Sequence, residues 1–199
     1  MRYARALFAT MLAAAMLSGC AATLTSAPGD PVKKIEEAYT LLDRQQPLPA
    51  EQLIRESIET YKREKDEVGL AEAYRAYGFF FRSSAVETWR QHYEVNGFRD
   101  KTATYKNRYD KSIENFEESA RLLAKNSQYD KLTNVYANLG ITNEFAGKNE
   151  KACEAYKASL EANRRFAKEK PGVTVSLPQG FAGTYEDYIK VFLEKLDCK

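Results

Sequence analysis

The chain has 199 residues, of which 29% are charged, with 30 Lys and Arg against 28 Asp and Glu. A net charge of +2 is far from the basic excess that tracks a phosphate backbone, which excludes nucleic acid as a partner. One histidine and three cysteines are too few for a His-rich metal centre or a cysteine framework.

The first twenty residues form a unit of their own. Arg2 and Arg5 precede an apolar run from Ala6 to Leu17, broken only by Thr10, and then comes Leu17-Ser18-Gly19-Cys20. Charged start, apolar centre and small-residue cleavage site are the order of a secretory signal. As a helix the run spans ~18 Å at about 1.5 Å per residue, short of a bilayer core of about 30 Å. The four residues ending at Cys20 resemble the lipobox of bacterial lipoproteins. That resemblance implies a signal peptide over 1–19, a diacylglyceryl group on the Cys20 thiol and cleavage just before it. Ala21, rather than Asp, after the cysteine implies sorting to the outer membrane, facing the periplasm. Two or more acyl chains anchor a protein stably without a membrane-spanning helix. Loss of Arg2 and Arg5 takes the 30 basic residues to 28, equal to the acidic count, so the positive balance belongs to the signal.

Residues 20–31 are small, polar and rich in turn formers, and read as a tether to a single domain over 32–199. Helical periodicity and turn residues place helices at roughly 32–45, 50–67, 70–95, 100–126, 130–146, 149–168 and 184–196. Pro47-Leu48-Pro49, Asn96-Gly97 and Gly147-Lys148-Asn149 separate neighbours. Residues 171–183, with Pro171, Gly172, Pro178, Gly180 and Gly183, form a loop. No alternating pattern persists, so the expected class is all-α.

Within 133–166, Tyr136, Leu139, Gly140, Gly147, Ala152, Tyr156, Ser159 and Leu160 keep the spacing of a helix–turn–helix unit of about 34 residues, and this resembles the tetratricopeptide repeat. Gly140 and Ala152 are small where two helices cross; Tyr136, Leu139 and Tyr156 are large where they pack. Asn143 departs from the pattern, where an aromatic is usual, as does Arg164, where proline is usual. An earlier unit starts at Ala71, with Tyr74, Tyr77, Gly78 and Phe81, and its second helix carries Ser112, Ile113, Phe116 and Ser119. Ser112 stands where residue 90 is expected, an insertion of 22. Shared equally, this lengthens each helix by about three turns. The expectation is one elongated hairpin projecting beyond its neighbours, with its tip near Asn96-Gly97. The segment 32–67 reads as a degenerate first pair, which makes about three hairpins in an antiparallel helix-pair solenoid. Tyr185, Tyr188, Ile189, Phe192 and Leu196 form the apolar side of a C-terminal capping helix.

Catalytic signatures are missing: the sequence has no G-x-S-x-G, H-E-x-x-H, C-x-x-C or P-loop. Ser83 and Ser84 lie too far along the expected helix from His92 to pair with it. The expectation is a protein that is not an enzyme and takes no metal or cofactor. Cys153 and Cys198 either pair, which an oxidising periplasm permits, or stay as free thiols.

Two surfaces are candidates for binding. Trp89, Arg90, His92, Tyr93, Phe98, Arg99 and Tyr105 crowd the insertion. They either anchor a partner, as Trp, Tyr and Arg do, or fill the seam between two lengthened helices. The repeat resemblance also implies a concave face lined by first helices. Its residues are Glu72, Arg75, Phe79 and Arg82 in one unit, then Asn134, Ala137, Asn138, Ile141 and Glu144 in the next. Arg75 and Arg82 can receive a carboxylate there. The leading expectation is a non-catalytic scaffold for an envelope protein or peptide in an assembly or secretion system, held at the membrane by its N-terminal lipid. The alternatives are an immunity lipoprotein against a periplasmic toxin, a peptidoglycan-binding module and a passive spacer. The oligomeric state is left open.

Overall fold

A computed structural model describes residues 29–178 and 180–199. The signal segment, Cys20 and all of the expected tether up to residue 28 lie outside the described residues. Among the described residues there are nine helices and no strands: α1 (Pro31–Asp43), α2 (Pro47–Glu64), α3 (Glu67–Phe81), α4 (Ser84–Thr88), α5 (Arg90–Asn96), α6 (Arg108–Lys125), α7 (Tyr129–Phe145), α8 (Asn149–Glu169) and α9 (Tyr185–Lys195). No described helix is long and apolar enough to cross a membrane.

Local chemistry sets the helix ends. The Val32 N–H donates to the Asp30 carboxylate at 2.9 Å, and Pro31 opens α1 with its φ already suited to a helix. The Gly69 N–H donates to Asp66 to start α3, and a reciprocal Thr184–Asp187 box starts α9. Gln45, Lys65, Ser127 and Gly147 each turn the chain between consecutive long helices with a positive φ, so those neighbours run antiparallel.

The long helices pack as α1 on α2, α3 on α6 and α7 on α8, with α2 against α3, α6 against α7 and α9 against α8. Two pairs share a register device. The Ser57 hydroxyl donates to the Pro31 carbonyl at 3.1 Å, and the Ser159 hydroxyl donates to the Thr133 carbonyl at 2.7 Å, both across a separation of 26 residues. In the middle pair, Ser112 donates to the Gly78 carbonyl at 2.7 Å instead. Close crossings need the glycines: a Cβ on Gly78 would lie 2.9 Å from the Phe116 ring, and one on Gly140 only 2.4 Å from the Tyr156 ring. Cys153 of α8 is disulfide-bonded to Cys198, with Cα atoms 5.6 Å apart, and this ties the end of α9 to α8.

The elongated hairpin does not form. Helix α3 stops at Phe81, Ser83 accepts the Val86 N–H and caps α4, and the chain turns back through α4, α5 and the loop after Gly97 onto α1, α2 and α3. Burial explains the difference. Phe80, Phe81, Ala85, Val86, Tyr93, Phe98, Ala103 and Tyr105 are all buried in one cluster with the α1–α2 pair. A hairpin projecting into solvent would have left much of that surface wet, at about 25 cal/mol per Å².

Candidate functional site

Arg75, Phe79 and Arg82 recur along one face of α3, and Asn134 and Asn138 along the facing side of α7. The structure joins them in a hydrogen-bonded row. The Arg75 guanidinium donates to the Asn134 amide oxygen at 3.4 Å, the Asn138 amide donates to the same oxygen at 3.1 Å, and the Arg82 guanidinium donates to the Asn138 oxygen.

The two arginines differ in charge balance. Arg75 pairs with Glu72 at 2.7 Å, and Glu72 also takes Lys131 at 3.1 Å. Arg82 pairs with no carboxylate among the described residues; its guanidinium lies over the Phe79 ring at 4.8 Å and the Phe116 ring at 5.4 Å. Burial among these rings pulls the Arg82 pKa down to about 10, and the groups that face it are Tyr156, Tyr188 and Tyr39. A guanidinium offers five N–H donors, and here one goes to Asn138. A half-desolvated cation with spare donors and aromatic walls has the chemistry to accept an anion as partner.

Tyr39 completes the wall. It reaches over from α1 to meet Phe79 edge-on at 6.0 Å, and its buried hydroxyl has no hydrogen-bond partner among the described residues. Burial raises its pKa, so it stands as a neutral donor. Tyr188 comes from α9. Neither Tyr39 nor Tyr188 was among the residues expected for the site, since nothing in the local spacing ties positions 39 and 188 to 82. Two of the expected concave residues are occupied elsewhere. Ala137 is buried under α9, and Glu144 accepts the Tyr156 hydroxyl at 2.5 Å and Lys195 at 2.5 Å. Ile141 is half-buried against α9.

The insertion does not present the expected anchors. Tyr93 and Phe98 are each 1% exposed, stacked on one another at 4.2 Å and packed on Phe80. They are core residues, so partner contact through them is corrected to a packing role. Trp89 donates its indole N–H to the Gln45 carbonyl at 3.0 Å, which pins the insertion to the turn after α1. His92 lies between Trp89 and Tyr93 and contacts the Asn96 amide. Arg90 is exposed but already engaged, with Glu94 at 2.8 Å and the Tyr105 ring at 5.2 Å.

A buried carboxylate missed by the sequence reading holds the insertion in place. Glu51 of α2 is 1% exposed; it accepts the Arg99 backbone N–H at 2.8 Å, the Asp100 N–H at 3.4 Å and the Tyr77 hydroxyl at 3.0 Å. Desolvation raises its pKa. Among the described residues, no group of three or more His, Cys, Asp or Glu side chains is placed to hold a metal ion. No protein-family model matches the chain, and neither a curated protein nor a solved structure gives a significant match.

Proposed function

We propose that the protein is a lipid-anchored envelope adaptor. In this reading Cys20 carries the lipid, residues 20–31 tether the helical domain to the periplasmic face of the outer membrane, and the domain is a tetratricopeptide-like solenoid of about three hairpins. Its role is non-catalytic: the face formed by α1, α3, α7 and α9 binds an acidic segment of an envelope protein or peptide. The observation that carries this is Arg82, a desolvated guanidinium that has no carboxylate partner among the described residues and lies over the Phe79 and Phe116 rings. An incoming carboxylate accepts from its spare N–H donors, and Phe79 supplies apolar contact beside it.

The paired Arg75–Glu72–Lys131 cluster supports a division of labour along the face, with charge already balanced at one end and open at the other. Crosslinked recovery of partners from cells expressing the full chain tests the reading. Alanine at Arg75, Phe79 and Arg82 together is expected to abolish recovery of the partner seen with the wild type. Cys20→Ser is expected to release the protein from the membrane fraction. Unchanged recovery with the triple variant, at equal folded protein, defeats the concave face as the contact surface.

A further inference from the structure

A second pocket of about 400 Å³ lies between α6 and α8 and is floored by α7. It shares no lining residue with the Arg82 cluster. Tyr136, Leu139 and Asn143 form its floor, and Ala120 and Ala155 line its sides. Asn143 is 2% exposed; its amide nitrogen donates to the Leu139 carbonyl at 2.9 Å, while its side-chain oxygen has no partner among the described residues. A buried acceptor without a donor is unfavourable, so a group that supplies one is favoured there.

The molecule contains the same place in a closed form. Adding 62 to Tyr74, Tyr77 and Phe81 of α3 gives Tyr136, Leu139 and Asn143 of α7, and adding 62 to Arg55, Ile58 and Glu59 of α2 gives Glu117, Ala120 and Arg121 of α6. The recess between α2 and α6 over α3 is only about 190 Å³, and Asp100 of the insertion forms part of its wall. Phe81 does not line this recess: it is fully buried under the insertion, with Tyr77 at 4.5 Å and Phe98 at 5.2 Å. At the later crossing Asn143 replaces Phe81 and Ala120 replaces Ile58. Both changes remove volume, and no segment of the described chain covers the opening.

The geometry points to this pocket as a docking site for an aromatic side chain with a hydrogen-bond donor, a tyrosine or tryptophan on a loop of a partner protein. The ring takes the space that Phe81 and Phe98 fill in the counterpart, and its O–H or N–H donates to the Asn143 oxygen. A phenylalanine would leave that oxygen orphaned, which sets the preference for a polar-edged ring.

Two-dimensional NMR of the full chain titrated with p-cresol, and separately with toluene, tests the assignment. Saturable shifts are expected at Asn143, Tyr136 and Ala155 with p-cresol, with toluene about fivefold weaker, the value of one hydrogen bond. Ala120→Ile, which restores the side chain of the closed counterpart, and Asn143→Phe, which restores its ring, are each expected to abolish the p-cresol shifts. Either variant suffices if the other fails to fold. Absence of saturable shifts at these residues, equal affinity for toluene, or p-cresol binding that survives in folded Ala120→Ile overturns the proposal.

Discussion

The α3–α6 pair and the α7–α8 pair place corresponding residues at corresponding positions, yet they are completed in different ways. In the first, the chain between the two helices doubles back and supplies its own cover: Tyr93 and Phe98 enter the core, and Glu51 receives the backbone of the covering loop. In the second the turn is short, at Gly147, and cover comes from α9 on one side, held by the Cys153–Cys198 disulfide. The other side stays open above Asn143. A helix pair of this kind cannot bury its own faces. What differs is which piece of chain does it, and that leaves one crossing sealed and the other accessible.

Phe98→Ala empties the sealed crossing and is expected to destabilise the protein by about 3–5 kcal/mol in denaturant unfolding, as for other buried Phe truncations. Arg90→Ala, from the same insertion but on its surface, is expected to leave the unfolding midpoint almost unchanged. Equal small effects would mean that the insertion does not seal the core.

On the other pair the corresponding break is the disulfide. Cys153→Ser with Cys198→Ser removes a loop closure across 45 residues, and in the chain-entropy view this costs about 3–4 kcal/mol. Hydrogen exchange is expected to show α9 amides losing protection while those of α4 and α5 keep theirs. A smaller contrast lies in the two glycines. Gly140→Ala forces its Cβ deeper into a ring than Gly78→Ala does, so we expect about 2–3 kcal/mol against about 1–2 kcal/mol, read as shifts in unfolding midpoint.

The mildest probe is pH. The raised Glu51 pKa means that the folded protein holds a proton there more tightly than the unfolded chain does. Its contribution is complete below the ordinary carboxylate value of about 4.3 and is lost as pH rises through the elevated one. Glu51→Gln keeps an oxygen to accept the two backbone N–H groups but removes the titration. The stability difference, variant minus wild type, is therefore expected to grow as pH rises above about 4 and then level off. A difference that is flat with pH would place the charge of Glu51 outside the stability of the insertion.

Much of this fold is legible in residue order. Apolar spacing with the turn signals at Pro47-Leu48-Pro49 and Gly147-Lys148-Asn149 locates α1, α2, α7, α8 and α9 to within a few residues, because each helix face and each cap is a local decision, whereas α3 ends and α6 begins well away from the expected bounds. The row Arg75, Phe79, Arg82 is legible for the same reason, as residues three and four apart share a helix face. The insertion is not. Twenty-two residues can lengthen two helices by whole turns or fold back, and both keep the same faces together; Ser83 as a cap and Glu51 as a distant acceptor decide between them, and Glu51 lies 48 positions from Arg99. Tyr39 and Tyr188 are hidden likewise, since they reach Arg82 only after α1 and α9 have packed.

The proposed role of Arg82 is to receive a carboxylate. An array of N-acetylated peptides ending in acidic residues, with matched peptides ending in the corresponding amides, can be probed with the full chain and with its Arg82→Gln variant. The prediction is that the wild type selects the acidic peptides by at least about tenfold and that Arg82→Gln loses the selection while remaining folded. Wild-type binding indifferent to the carboxylates, or a preference that persists in Arg82→Gln, would contradict the account.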